Sequence, residues 1–278
     1  MTQNLSLGYS TCPNDTHIFY SMTHGRVDCG SLRFETVLKD VEALNQDAKS
    51  QLLDVTKLSF AAIGQLRDTY GLLRSGAALG RGCGPLIVAR PDSGFSGLAS
   101  SRIAVPGLWT TANLLLGLYL SVHPKVEPIP FDRIMPAVAK GDFDYGVIIH
   151  EGRFTFESYG LVDLLDLGQW WEDETGLPIP LGGIAIRREL GPSIAEKVET
   201  AIRKSVQYAF DHPEASRSHV KTHAQEMTDD VIDQHIALYV NDDSVSIGEE
   251  GVAAIEMLFE RGREAGMIPE SGKPLFAF

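Results

Sequence analysis

Residues 5–25 read LSLGYSTCPNDTHIFYSMTHG, and their pattern decides how the rest of the sequence is interpreted. Residues 5–9 have the composition of a short β-strand. A polar turn follows, and the apolar spacing from Thr16 to His24 predicts a helix that Asn14 or Asp15 caps and that ends at Gly25. The stretch therefore consists of a strand, a loop and a helix, which is the repeating unit of α/β proteins.

The same alternation continues along the chain. Strands are predicted at residues 32–37, 53–58, 102–105, 126–129, 145–149 and 181–186, and helices at 41–48, 60–66, 111–120 and 132–139. From residue 192 onward the pattern is almost wholly helical, with helices predicted at 192–210, 213–223, 229–240 and 248–265. Strands separated by helices indicate parallel pairing.

Two such series, joined by extended segments near residues 87–90 and 184–187, predict an α/β fold with two hinged lobes. We expect each lobe to be a mixed sheet flanked by helices, with a helical C-terminal region that returns to the first lobe. The predicted boundaries place residues 1–92 and 188–278 in lobe I and residues 93–187 in lobe II, with a ligand cleft between them.

The composition argues against several classes of function. A formal net charge of −13 disfavours general binding to polyanions, so we expect neither nucleic acid nor a membrane as a partner. The N-terminus lacks the basic region and apolar stretch of a secretory signal, which predicts a cytoplasmic location. Three cysteines, Cys12, Cys29 and Cys83, have no CxxC spacing, so we expect reduced thiols and no structural zinc.

Polar residues follow two of the predicted strands, where ligands bind in open α/β sheets. The loop at 10–16 offers Ser10, Asn14 and free backbone N–H groups to an anion or carbonyl, although a simple helix cap has the same composition. Lys57 and Ser59, on either side of Leu58, could bind a carboxylate. The alternative there is a partly exposed lysine beside a serine that caps a helix.

Two glycine-containing loops are the next candidates. Residues 79–85 contain Arg81 among glycines, and residues 106–111 end in Thr110 and Thr111 at a predicted helix start. Glycines let the backbone approach a ligand closely, but they also suit a hinge. The loops do not match a P-loop, which argues against nucleotide hydrolysis.

An ionisable segment, His150-Glu151-Gly152-Arg153, follows the apolar strand at 145–149. Imidazole titrates near neutral pH, so His150 could accept and return a proton, whereas a structural histidine is the alternative. Metal binding is not expected, because Glu151 would point elsewhere on a strand and no HExxH spacing occurs. Trp170 and Trp171 could form a wall for a flat ligand or pack in the core.

These segments together closely resemble the 1,4-dihydroxy-6-naphthoate synthase family. The resemblance covers nearly the whole chain in order and rests on STCPNDT at 10–16, KLS at 57–59, GRG at 80–82, TT at 110–111, HEGR at 150–153 and DLGQWWE at 166–172. One departure is Thr11, because many relatives have proline at this position. Loss of a proline loosens a turn without removing a reacting group.

The resemblance implies a type II periplasmic-binding-protein-like fold and a carbon–carbon lyase of the futalosine route to menaquinone. Such an enzyme cleaves cyclic dehypoxanthine futalosine, a small anionic aromatic substrate, without metal or organic cofactor. The proton acceptor would be His150. Substrate-contacting segments would include Lys57, Leu58, Ser59, Thr110 and Thr111.

Retro-aldol cleavage needs a base, an acid and stabilisation of a developing enolate oxygen. We expect His150 to take a hydroxyl proton, while Thr110, Thr111 and nearby N–H groups hold the oxyanion. Either Lys57 or Arg153 would pair with the aryl carboxylate.

Two other functions are compatible with the same fold. Chorismate dehydratase of the same pathway also takes a proton from a small anion, although the segment at 150–153 favours the naphthoate synthase. A non-catalytic solute-binding protein is the other alternative, which the missing export signal disfavours. A homodimer is expected only because such dimers are common.

Overall fold

The structure is a computed structural model that describes residues 2–95, 97–122, 124–224 and 228–278. The strands are β1 (Gln3–Tyr9), β2 (Leu32–Leu38), β3 (Val55–Ser59), β4 (Tyr70–Leu72), β5 (Ala78–Gly80), β6 (Leu86–Ala89), β7 (Ile103–Val105), β8 (Val126–Pro128), β9 (Tyr145–Ile148), β10 (Val162–Asp166) and β11 (Ile179–Arg187). The helices are α1 (Pro13–Thr23), α2 (Val41–Lys49), α3 (Phe60–Gln65), α4 (Thr111–Leu120), α5 (Phe131–Lys140), α6 (Gly152–Thr155), α7 (Leu167–Thr175), α8 (Pro192–Asp211), α9 (Arg217–His223), α10 (Asp229–Tyr239), α11 (Asp242–Val245) and α12 (Glu249–Glu264).

The strands form two mixed sheets, which confirms the predicted fold class. The first sheet has the order β2-β1-β3-β11-β4, and β5 also pairs with β11. The second has the order β10-β6-β9-β7-β8. Parallel pairs lie among β1, β2 and β3 and among β7, β8 and β9, whereas β6, β10 and β11 pair antiparallel.

The pairing of two strands moves both predicted lobe boundaries toward the N-terminus. β6 pairs with β9 and so belongs to the second sheet, although the predicted boundary left it in the first lobe. β11 pairs with β3 and belongs to the first sheet, although it was predicted in the second lobe. The extended segments that were interpreted as linkers are buried strands, and the chain changes lobe before each of them.

Apolar packing continues from one lobe to the other. One cluster of buried side chains contains Leu58 and Phe60 from the first lobe and Ile87 and Leu115 from the second, together with Trp171. A second cluster lies under α1 and α8 in the first lobe, and a third lies between α5 and the second sheet. The lobes are therefore joined by shared core as well as by the chain. No helix of the described residues is long and apolar enough to cross a membrane.

The chain passes between the lobes where two glycines meet. A Cβ at Gly84 would lie 2.3 Å from the Cα atom and 2.4 Å from the N atom of Gly168, which belong to backbone and cannot rotate away. The Asp166 side chain accepts hydrogen bonds from the N–H groups of Gly168 (2.8 Å) and Gln169 (3.1 Å) and so begins α7 at this point. The close approach therefore fixes α7 against the start of β6.

Gly84→Ala is expected to lower the free energy of unfolding by about 1–3 kcal/mol, the usual cost of inserting a group into packed structure. Urea denaturation of the two proteins measures the difference. Gly272→Ala is the matched control, because a Cβ there meets nothing within 4 Å. Equal stability of the Gly84 and Gly272 variants would contradict the prediction.

Candidate active site

A cleft lies between the two sheets and is lined from both lobes. Its polar lining comprises Ser10, Asn14, Asp15, Lys57 and Ser59 from the first lobe, Thr110, Thr111 and His150 from the second, and Tyr239 from α10. The structure thus brings together seven of the predicted site residues. Within the described part of the chain, no group of three or more His, Cys, Asp or Glu side chains is arranged to hold a metal ion.

The loop between β1 and α1 is held by its own side chains. The carboxylate of Asp15 is fully buried, and its Oδ2 atom accepts hydrogen bonds from the Ser10 N–H (3.1 Å) and hydroxyl (2.8 Å). The Asn14 amide donates to Asp15 Oδ1 at 2.9 Å. Pro13 occupies the first turn of α1, where its missing N–H is harmless. The polar loop therefore has a fixed shape before any ligand binds.

Lys57 forms a buried ion pair with Asp15. Because alternate residues of a strand face opposite sides, Lys57 and Ser59 of β3 face the cleft while Leu58 faces the core. The Lys57 Nζ atom lies 2.7 Å from Asp15 Oδ1, and the lysine side chain is 6% exposed. A second hydrogen bond joins Lys57 Nζ to the Gly76 carbonyl at 3.4 Å. The charge of Lys57 is thus balanced by protein, and any ligand anion would share it with Asp15.

Ser59 is oriented by Asn45 of α2. The Ser59 N–H donates to Asn45 Oδ1 at 3.1 Å, and Asn45 Nδ2 donates to Ser59 Oγ at 3.2 Å. The Asn45 side chain is completely buried. Since the Ser59 oxygen accepts from Asn45, its own proton is left to donate toward the cleft.

The hydroxyl groups of Thr110 and Thr111 are both engaged by protein. Thr110 Oγ1 donates to the Gly107 carbonyl (2.7 Å) and caps α4 by accepting from the Asn113 N–H. Thr111 Oγ1 donates to the Leu181 carbonyl (2.7 Å) and accepts from the Ala61 N–H (3.3 Å). What remains for a ligand is the first turn of α4, whose backbone N–H groups have no helical acceptor.

His150 lies two residues beyond the end of β9 and has a backbone that is unusual for a residue other than glycine. Its φ is +56°, in the left-handed region, and such strain outside glycine is commonest at functional sites. The Phe131 ring packs edge-on against the imidazole, with 5.3 Å between centroids. His150 Nε2 is buried and has no hydrogen-bond partner among the described residues. The ring is therefore held by packing and backbone.

Glu151 lies in a turn and not on a strand, so the strand geometry expected for it does not apply. Glu151 Oε2 is buried and lacks a hydrogen-bond partner among the described residues. Burial raises the pKa of the Glu151 carboxyl, and the neighbouring His150 opposes this shift. An acid with a raised pKa thus lies next to the candidate base.

Hydrogen bonds also link the two lobes at the edge of the cleft. The Trp109 N–H donates to Glu42 Oε2 (3.3 Å), and Asn45 Nδ2 donates to the Trp109 carbonyl (3.4 Å). The Lys49 ammonium lies over the Trp109 ring, 4.9 Å from its centroid. The structure therefore represents the lobes closed on each other.

Three predicted substrate-binding residues do not line the cleft. Leu58 is fully buried in the core. Arg81 is half-exposed and pairs with Glu250 (2.6 Å), because the glycine-rich loop directs its side chain to the surface. Arg153 donates to the Gly84 carbonyl (2.8 Å) and pairs with Asp166 where the chain changes lobe. Of the two cations expected to hold a carboxylate, only Lys57 reaches the cleft.

Two tryptophans also have structural positions. Trp171 is fully buried and its indole N–H donates to the Pro178 carbonyl at 3.0 Å, while Trp170 packs edge-on against Tyr119. Neither lines the cleft, so they stabilise α7 against β11 and α4.

Sequence reasoning missed His235 of α10, which is fully buried behind the cleft. His235 Nε2 lies 3.0 Å from Asn14 Oδ1, and its ring lies 6.4 Å from that of His150. Burial and the nearby His150 and Lys57 lower the pKa of His235 well below its usual value. No local pattern marks it, because its partner Asn14 is 221 residues away in sequence.

The fold and the closed interlobe cleft define the class of protein, a two-lobed α/β protein of the periplasmic-binding-protein type. An alkanesulfonate-binding protein from Xanthomonas axonopodis pv. citri has the same fold, with a TM-score of 0.72 over 97% of this chain and 96% of its own at 11% identity. The family model described as "Menaquinone biosynthesis" matches residues 5–264. The chain belongs to this family, and it is an enzyme of menaquinone biosynthesis.

Two curated relatives carry the same name, 1,4-dihydroxy-6-naphthoate synthase. The protein from Thermus thermophilus is 50% identical over 273 residues, which cover 98% of each chain. The protein from Streptomyces coelicolor is 44% identical over 279 residues, covering 99% of this chain and 98% of the relative. The resemblance expected from the sequence is confirmed.

Proposed function

We propose that the protein is a 1,4-dihydroxy-6-naphthoate synthase that cleaves a carbon–carbon bond of cyclic dehypoxanthine futalosine. The observation that carries the proposal is the position of His150, an imidazole in the turn after β9 that lines a cleft with a buried cation and free N–H groups. Relatives that carry this name over nearly the whole chain support it. The proposed substrate is a small anionic aromatic molecule, and the cleft offers it polar groups from both lobes beside apolar side chains such as Ile149 and Leu181.

The cleavage step uses groups from both lobes. His150 takes the proton of a substrate hydroxyl, the oxygen lone pair forms a carbonyl, and the adjacent carbon–carbon bond breaks. The bonding electrons move onto the fragment that becomes the naphthoate, as an enolate, and the imidazolium returns the proton. Backbone N–H groups in the first turn of α4, together with the Ser59 hydroxyl, stabilise the developing oxyanion.

The aryl carboxylate is expected to bind near Lys57, the cation that reaches the cleft. Because Asp15 already pairs with Lys57, hydrogen bonds from the loop at 10–16 must supply part of the binding. Because Lys57 shares its positive charge with Asp15, the cleft favours a ligand group with one negative charge. A phosphate would need more positive charge than Lys57 can offer.

The test is incubation of the purified protein with cyclic dehypoxanthine futalosine, followed by absorbance and chromatography of the naphthoate product. We expect 1,4-dihydroxy-6-naphthoate to form without added metal. A parallel incubation with chorismate distinguishes the dehydratase, which alone would consume it. Binding of either compound without turnover would identify a solute-binding protein and would contradict the proposal.

A further inference from the structure

Three buried polar atoms without hydrogen-bond partners among the described residues belong to one small region. They are His150 Nε2, Glu151 Oε2 and His235 Nδ1. The His150 and His235 rings lie 6.4 Å apart between centroids and are inclined by 23°. His150 belongs to the second lobe and His235 to α10 of the first, so the two imidazoles lie on opposite sides of the lobe boundary.

The tautomer of His235 follows from its neighbours. A carboxylate only accepts hydrogen bonds, so the Asn14 group that lies 2.9 Å from Asp15 Oδ1 is its NH₂. The Asn14 oxygen therefore faces His235 and accepts the proton of His235 Nε2 at 3.0 Å. This leaves a buried lone pair on His235 Nδ1.

Packing against two aromatic rings also holds the His235 side chain in place. Tyr239, one turn later on α10, packs against its ring with 4.6 Å between centroids, and Phe154 lies 6.4 Å away. Asp15, at the far end of the hydrogen-bonded chain, is held by Lys57 and Ser10. His235 is thus held in place with a buried acceptor at Nδ1.

We propose that His235 is a positioning residue that accepts the Nε2 proton of His150, so that His150 Nδ1 takes the substrate proton. A direct hydrogen bond of about 2.9 Å requires the two rings to be roughly 1 Å closer than they are. A shift of the His150 side chain when substrate binds supplies this movement. His150, His235, Asn14 and Asp15 then form one chain of hydrogen bonds, and the imidazolium formed during the reaction is stabilised.

The inference rests on the proposed function, because it assigns His150 as the base. Glu151 Oε2 is the rival acceptor, since it is also buried beside His150. The two assignments differ in which substitution slows the reaction. Glu151→Gln is therefore included in the test.

Two substitutions of His235 separate positioning from folding. In His235→Gln the amide reaches the place of Nε2 and keeps the bond to Asn14, but it removes the acceptor at Nδ1. In His235→Asn the side-chain oxygen replaces Nδ1 and the bond to Asn14 is lost. We expect His235→Gln to unfold at the higher temperature of the two, yet to have kcat lower by roughly 10–100-fold, while His235→Asn keeps kcat within about threefold.

The matched control is His219, another histidine with a buried Nε2 atom and no partner for it among the described residues, which does not line the cleft. His219→Gln and His219→Asn are expected to leave kcat unchanged. Equal kcat of the wild type and His235→Gln overturns the proposal. The proposal is also overturned if kcat falls most in whichever His235 variant is the less stable, or if only Glu151→Gln lowers kcat.

A measurement without substrate keeps this inference distinct from the proposed function. ¹⁵N spectra of histidine-labelled protein, assigned with the His235 variants, report which ring nitrogen carries the proton. We expect a neutral His235 with its proton on Nε2 at pH ~7. A proton on Nδ1 overturns the inference even if the enzyme is active, whereas absence of turnover in the wild type rejects the proposed function instead.

Discussion

Replacing His150 with alanine is expected to lower kcat/KM for naphthoate formation by about 10²–10⁴-fold, the usual contribution of a general base. The physical reason is the position of the imidazole, which follows β9 and lines the same cleft as the loop at 10–16 and the first turn of α4. Initial rates of product formation from cyclic dehypoxanthine futalosine measure the effect. KM is expected to change much less than kcat, because a base acts on the reacting proton and binds little of the substrate.

Two controls exclude misfolding or a nonspecific effect of removing a histidine as the cause of the lost activity. His219→Ala removes an imidazole that does not line the cleft and should keep the rate of the wild type. Urea denaturation should show that His150→Ala still folds, since alanine at a left-handed φ costs only about 1–2 kcal/mol. Turnover of His150→Ala within about tenfold of the wild type would remove the residue from the role of base.

Most of the longer elements of the fold were predictable because the apolar periodicity of the chain is strong, whereas β4, β5, β10 and α7 were not predicted. Even the long C-terminal helices α8 and α12 begin and end close to the predicted residues. The lobe boundaries were wrong because an extended apolar segment such as Leu86–Ala89 has the same pattern whether it links two sheets or pairs within one. Pairing partners far apart in sequence decide between the two.

Part of the candidate site was also predictable, since polar residues follow buried strands in the sequence. Lys57, Ser59 and His150 reach the cleft for this reason, as ligands gather at the carboxyl ends of strands. Arg81 and Arg153 were predicted to bind substrate but do not reach the cleft. Each long side chain points toward an acidic partner, Glu250 for Arg81 and Asp166 for Arg153, which the local sequence does not reveal. The cellular location and the homodimer stay predictions.

Buried partners were the hardest part of the site to foresee. Asp15 was interpreted as a helix cap, yet it is fully buried and paired with Lys57, which is 42 residues away. The loop at 10–16 and the end of β3 meet in the cleft, where the negative charge of Asp15 and the positive charge of Lys57 neutralise each other. A buried charge without a partner would be far more costly than either group in water. The stability of the first lobe therefore depends on neither charge being buried without the other.

Lys57→Met is expected to lower the free energy of unfolding by about 3–5 kcal/mol, the cost of leaving one charge of a buried pair without its partner. Methionine keeps most of the apolar length of lysine, so the loss is electrostatic and not a cavity effect. Urea denaturation followed by circular dichroism measures it. Lys39→Met is the matched control, because Lys39 forms an equally short pair with Asp47 at the surface, and such pairs contribute less than about 1 kcal/mol.

The double variant Lys57→Met/Asp15→Asn tests the cause of that loss. Removing both charges leaves no carboxylate to desolvate, so most of the stability lost in Lys57→Met is expected to return. The amide that replaces the Asp15 carboxylate would still accept one hydrogen bond from Ser10 through its oxygen. If the double variant is as unstable as the sum of the two single variants, Lys57 and Asp15 are not coupled. The loop at 10–16 is then held by its hydrogen bonds alone.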